Sequence, residues 1–156
     1  MTDEFKQLLQ RDWAKAAAAV VLTRRDDLTV VEAPDEPGLD LRVLIEREGE
    51  WTRPSFGVVV RAIPSSVTRG RANRLVGPTV AQFPGLRTYT CPVCLFVCTM
   101  RGEQEFFSWI DEPTLTDGGS NLVRHHTANC LPVTKDLLDQ VVERVVAWRV
   151  AAEALI

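Results

Sequence analysis

The chain has 156 residues, 46% of them hydrophobic and 25% charged, with a formal net charge of −3. That is one domain's length with enough apolar side chains for a real core, in the composition of a soluble globular protein. No apolar run approaches the roughly 20 residues of a membrane span, and the acidic, amphipathic start MTDEFKQLLQRDW is not a secretory signal; a single cytoplasmic domain over residues 1–156, with no membrane partner, is expected.

In chain order, Phe5, Leu8, Leu9, Trp13, Ala16, Ala17, Val20 and Val21 recur at helical spacing, which predicts a helix over 3–22. Thr2 can cap it, and Asp3 and Glu4 suit its positive end. LTVVE (28–32) is short and β-branched, a strand, and APDEPG is a turn. LDLRVLIE (39–46) predicts the next strand, with Asp40 and Arg42 opposite Leu41, Val43 and Ile45. Glu48, Gly49 and Glu50 turn the chain back into SFGVVVRAI (55–63), apolar enough to be central. A helix follows near 69–83, weakened by Gly77 and Pro78.

CPVCLFVCT (91–99) reads as a buried strand and EFFSWI (105–110) as its hairpin partner, with DEPTLTDGGS as loop and NLVRHH as a last short strand. Thr134 then caps a long final helix striped with Leu137, Leu138, Val141, Val142, Val145, Val146 and Trp148. The four tryptophans, Trp13, Trp51, Trp109 and Trp148, are expected in or beside the core. Short links make the first three strands a meander, and the middle helix a crossover. The expected fold class is α/β: a central mixed β-sheet flanked by helices.

Charge is unevenly spread. No Asp or Glu occurs from Trp51 to Gly102, a stretch holding Arg53, Arg61, Arg69, Arg71, Arg74, Arg87 and Arg101, so all 21 carboxylates lie in the flanks. Such asymmetry can give an acidic protein a local basic face. A concavity built by Arg61, Arg69, Arg71 and Arg74 would grip nucleic-acid phosphates through the stretch 53–74. No aromatic residues interleave with these arginines, so base stacking is not indicated. The bland reading is a solvated face whose arginines pair with carboxylates from the flanks.

Gly38-Leu39-Asp40-Leu41 opens the second strand, and Phe56-Gly57-Val58-Val59-Val60-Arg61 runs through the third. This arrangement resembles the restriction-endonuclease-like superfamily, whose motif is PD-(D/E)XK. It is more closely similar to a bacterial family of uncharacterised endonuclease-like domains common among defence-associated genes. There the second strand begins Gly-hydrophobic-Asp-hydrophobic and the third reads Phe-hydrophobic-Val-Gln-Val-Lys. The YTCPV strand start and the aromatic FFSWI also look similar.

The resemblance implies a magnesium site held by the Asp, by a Glu or Gln two residues before the Lys, and by a backbone carbonyl. Here those positions are Asp40, Val59 and Arg61. Valine cannot coordinate a cation, and arginine stays protonated and cannot act as a base. The expected function is therefore a catalytically degenerate nuclease-like domain. It would act as a protein-interaction or nucleic-acid-binding module, with the resemblance implying a subunit of a bacterial defence system, and use no cofactor. The alternative is an active Mg-dependent endonuclease whose missing ligand has moved to Asp12, Glu32 or Glu46.

Cys91-Pro92-Val93-Cys94, with His126 and Cys130 downstream, also has the spacing of a four-ligand zinc site and offers a third reading, a small zinc-binding interaction domain. Against it, Cys94 and Cys98 lie in a run that reads as buried strand, where small thiols are common.

Overall fold

The computed structural model of the chain describes residues 2–47, 54–84 and 91–154. The expected turn at Glu48–Glu50, and Trp51, Arg53, Arg87 and Tyr89, lie outside the described residues.

Helix α1 (Asp3–Leu22) begins at Thr2, whose hydroxyl accepts the Phe5 N–H. Strands β1 (Leu28–Glu32), β2 (Leu41–Ile45) and β3 (Ser55–Ile63) form an antiparallel meander. Helix α2 (Arg69–Gln82), capped by Thr68, carries the chain over to β4 (Val93–Thr99), which pairs parallel with β3. β5 (Glu105–Thr116) and β6 (Gly119–Arg124) add an antiparallel hairpin. Two residues of β7 (Leu131–Pro132) pair with the start of β5, and α3 (Lys135–Glu153) follows, capped by Thr134. The sheet order is β1–β2–β3–β4–β5–β6. This is the expected α/β architecture, a mixed sheet with helices on it.

Strand alternation splits the core into two layers. Leu41, Val43, Ile45, Phe56, Val58, Val60, Cys94, Phe96 and Phe107 face α1 and α3. Val59, Ile63, Val93, Leu95, Val97, Phe106 and Ile110 face Ala72, Val76 and Val80 of α2. Every residue of β4 is buried, as its unbroken apolar run requires of a strand covered on both faces.

Three departures from the sequence reading have physical causes. β2 starts at Leu41, because Gly38, at φ +86°, turns the chain and Leu39 lies outside the ladder, to which Asp40 adds one last backbone bond. β5 runs through DEPTLT, which reads as loop; the hairpin with β6 extends it, and Pro113 lies beyond the last β4 pair at Asp111. The helix expected near 69–83 forms as α2, passing Gly77 and Pro78 without stopping, held by Ala72, Val76 and Val80. The apolar stripe of α1 faces outward: its buried residues are Ala14, Ala18, Val21 and Leu22, while Phe5, Leu8, Leu9, Trp13 and Val20 are exposed. Trp13 is thus not a core tryptophan.

Candidate functional site

The Gly38–Leu41 segment delivers one carboxylate to the open edge of the sheet. β2 pairs only with Ser55–Val58, so beyond Val58 that side of β3 has no strand beside it. Leu39 lies flat across Gly57, where an added Cβ would come within 2.7 Å of a Leu39 methyl. A Cβ at Gly57 would therefore displace the Leu39 side chain, which belongs to the residue before Asp40. The Asp40 N–H donates to the Val58 carbonyl at 2.9 Å, the last step of the ladder. Its side chain then takes the place of the next strand residue: Oδ2 accepts the Val60 N–H at 2.8 Å.

Asp40 is fully enclosed, with its side chain 1% exposed, and two arginines surround it. From α1, Arg11 donates its Nε to Oδ1 at 2.7 Å and an Nη2–H to the same oxygen. From β3, Arg61 Nη1 lies 3.7 Å from Oδ2 and donates to the Val60 carbonyl at 2.6 Å. Burial pushes the Arg61 guanidinium below its ordinary pKa, Asp40 pulls it back up, and Arg11 lowers it further. One carboxylate between two guanidiniums leaves a local surplus of positive charge. A hard cation would have to displace both arginines to reach Asp40.

Val59 is 1% exposed within the α2-side core, so the aliphatic side chain at this position is a packing residue. Arg42 is not part of the site; it grips Glu36 through Nε at 3.1 Å and through Nη2, and its Nη1 reaches Ser55 Oγ and the Cys91 thiol.

Two open clefts flank Arg11. One, of about 460 Å³, is bordered by Glu4, Gln7, Leu8, Gln10, Arg11 and Arg61. The other, of about 330 Å³, brings Asp12 and Glu32 to the same hollow as Asp40, with Lys15 and Arg11 beside them. Glu46 is remote, past the opposite end of β2, where its carboxylate accepts from Thr29 Oγ1. Among the described residues no three His, Cys, Asp or Glu side chains gather closely enough to hold a metal ion.

The zinc set does not assemble. Cys94 faces α1 and α3, and Cys130 lies in the opposite core against α2, so the sheet separates them. Cys91 is engaged by Arg42, and His126 is exposed. The spacing failed as a guide because residues close on one strand point to opposite faces.

Of the four arginines expected to build a concavity, Arg69 is engaged elsewhere. Arg69 turns to the other flank of α2 and donates to the Cys130 carbonyl at 2.8 Å. Arg71 and Arg74 are exposed on α2, while Arg61 belongs to the Asp40 cluster. Sequence reasoning missed Arg11, 29 residues before Asp40. Nothing local ties a helix position to a strand start; only docking of α1 does so.

Compared with models of known protein families and with curated protein sequences, the chain matches none. No helix among the described residues is long and apolar enough to cross a membrane.

Further from this cluster, a cavity of about 150 Å³ lies where α3 crosses β5. It is bordered by Glu112, His125 and Arg144; Glu112 Oε1 is 3.3 Å from Arg144 Nη1, and its Oε2 is 3.7 Å from His125 Nε2. Glu112 and Arg144 are engaged with each other, while His125 Nε2 is buried without a hydrogen-bond partner among the described residues, and the space is small for an organic ligand.

Proposed function

We propose that the protein is a cytoplasmic, restriction-endonuclease-like domain that has lost its cutting chemistry and retains the edge cleft as a grip for the phosphate backbone of a nucleic acid. The observation that carries this reading is the state of Asp40. Its oxygens accept from Val60 and Arg11, with Arg61 in ion-pair range at 3.7 Å, and the two guanidiniums border an open cleft with Gln7, Gln10 and Glu4. A carboxylate spent on arginines is a structural counter-ion. Partly exposed arginines beside amide side chains are suited to phosphate oxygens, which they hold without activating water. The grip differs from the one the sequence suggests: Arg11 and Arg61 form it, with Arg69 excluded. Membership in a defence system is part of the proposal, and rests on the motif resemblance of Gly38–Leu41 and Phe56–Arg61.

The test is fluorescence anisotropy with labelled single-stranded and duplex DNA and RNA, at low and rising salt, with magnesium or manganese present. Binding should weaken with salt. Arg61→Ala should lower the slope of log affinity against log salt by about 0.7–0.9, one phosphate contact. The oligonucleotides should stay intact. Cleavage that disappears in Asp40→Ala would restore the active endonuclease with a relocated ligand. No binding at low salt would defeat the phosphate grip and leave a protein partner as the role of the domain.

A further inference from the structure

The cleft beside Arg61 has a wall that the phosphate grip leaves unused. Glu4, Gln7, Leu8 and Arg11 line it from α1. Their spacings of three, one and three put them on one side of the helix, within roughly 100° of its circumference. Chemistry changes along that wall. Arg11 lies at the Asp40 end, with Arg61 on the other side of the carboxylate. Leu8, 55% exposed, comes about one turn earlier, and Glu4 one turn before that. The side chains of Glu4, Gln7 and Gln10 make no hydrogen bond or ion pair with any described residue. Glu4 stands seven residues from Arg11, about 10 Å of helix axis. That is about one Debye length at physiological salt, so its charge does little to cancel the two guanidiniums where they meet a phosphate.

We propose that this wall reads the base of the nucleotide whose phosphate Arg11 and Arg61 hold, and that the base is an unpaired guanine. The inference rests on the phosphate grip and adds what is gripped. A carboxylate only accepts hydrogen bonds. Guanine presents two adjacent donors on its Watson–Crick edge, N1–H and the N2 amine, one for each oxygen of Glu4. Adenine and cytosine set a ring acceptor beside their single amine there, and thymine or uracil flanks one N–H with two carbonyls. Each of these would face the carboxylate with an acceptor. The amides of Gln7 and Gln10 can donate to guanine O6. The spacing favours the base over the sugar, because ribose hydroxyls lie close to the phosphate while Glu4 is two helical turns away. Leu8, between them, gives the ring an apolar floor, so no aromatic platform is needed. In a duplex the Watson–Crick edge is already occupied, which restricts the cleft to single strands and unpaired ends.

The test is fluorescence anisotropy at low salt with a short labelled oligothymidylate carrying one central guanine. It is compared with the same strand carrying adenine, cytosine or hypoxanthine there, and with thymine throughout. Hypoxanthine keeps N1–H and O6 and lacks the N2 amine. The guanine strand should bind at least about fivefold tighter than the adenine, cytosine and all-thymine strands, with hypoxanthine between. Annealing the complementary strand should abolish the preference. Glu4→Gln, at an exposed position, should leave the circular dichroism spectrum unchanged and remove the preference, without weakening the all-thymine strand. Arg61→Ala should weaken every strand alike. Equal affinity for all the single strands, or a guanine preference that survives Glu4→Gln, would overturn this inference and leave the phosphate grip standing. If no strand binds, the grip fails and this reading fails with it.

Discussion

At the residue scale, Asp40 has the position of a metal ligand and the contacts of a structural ion. Its removal leaves the Val60 N–H without its acceptor and two arginines without their counter-charge. We expect Asp40→Ala to destabilise the protein by about 2–3 kcal/mol, read by urea denaturation; Arg11 and Arg61 are half-exposed, which moderates the loss. Asp40→Asn should cost less, because its amide oxygen can still accept from Val60. A carboxylate kept for metal binding would behave in the opposite sense, since removing a repelling charge stabilises the metal-free protein. A stabilised Asp40→Ala would therefore contradict the ion-cluster assignment.

The thiols give a second prediction at this scale. Burial pushes Cys98 from its ordinary 9.0 to about 12 and Cys130 to about 11, and pushes Cys94 well above 9.0. The folded chain therefore holds these protons at a pH where the unfolded chain has released them. Their contribution to stability is complete below about pH 9 and is lost as pH rises towards 11 and 12. Denaturation midpoints should fall steeply over that range, less so in Cys98→Ala. In native protein at pH 8, a thiol reagent should modify Cys91 first, since Cys94, Cys98 and Cys130 are buried.

At the scale of elements, α2 is the clearest case of packing prevailing over propensity. Gly77 and Pro78 should weaken a helix, yet the helix runs from Arg69 to Gln82 because Ala72, Val76 and Val80 are buried on one face. An added Cβ on Gly77 meets nothing within 4 Å, and Pro78 is exposed. Gly77→Ala should accordingly stabilise by about 1 kcal/mol and Pro78→Ala by about 2 kcal/mol, seen as higher melting temperatures. Gly57→Ala should do the reverse: its new methyl would push Leu39 off β3 and disturb Asp40 beside it, so thermal stability should drop. An unchanged melting temperature for Gly57→Ala would mean that Leu39 does not anchor the Asp40 segment.

At the scale of the whole molecule, β3 and β4 belong to both cores. Val58, Val60, Cys94 and Phe96 build one, and Val59, Val93, Leu95 and Val97 build the other. Loss of either layer exposes the shared strands. We expect a single cooperative unfolding transition in which tryptophan fluorescence and far-ultraviolet circular dichroism coincide. Two separated transitions would show the layers to be independent.

The sequence by itself determined the order and nature of the elements, because each rests on local information. The Thr2 and Thr134 caps, the five β-branched or apolar runs and the valine stripe of α3 are readable within a few residues. So is the mixed sheet, since short links dictate the meander and a helical link dictates the parallel crossover.

Only the tertiary structure decided what those residues meet. It placed Arg11 on Asp40, separated Cys94 from Cys130 across the sheet, turned Arg69 away from Arg61, and left the bulky side of α1 facing water. Each outcome depends on how two elements distant in sequence dock. Docking is set by the packing of whole faces, in which a small face of alanines can win over a large apolar one because it lets the helix lie closer to the sheet.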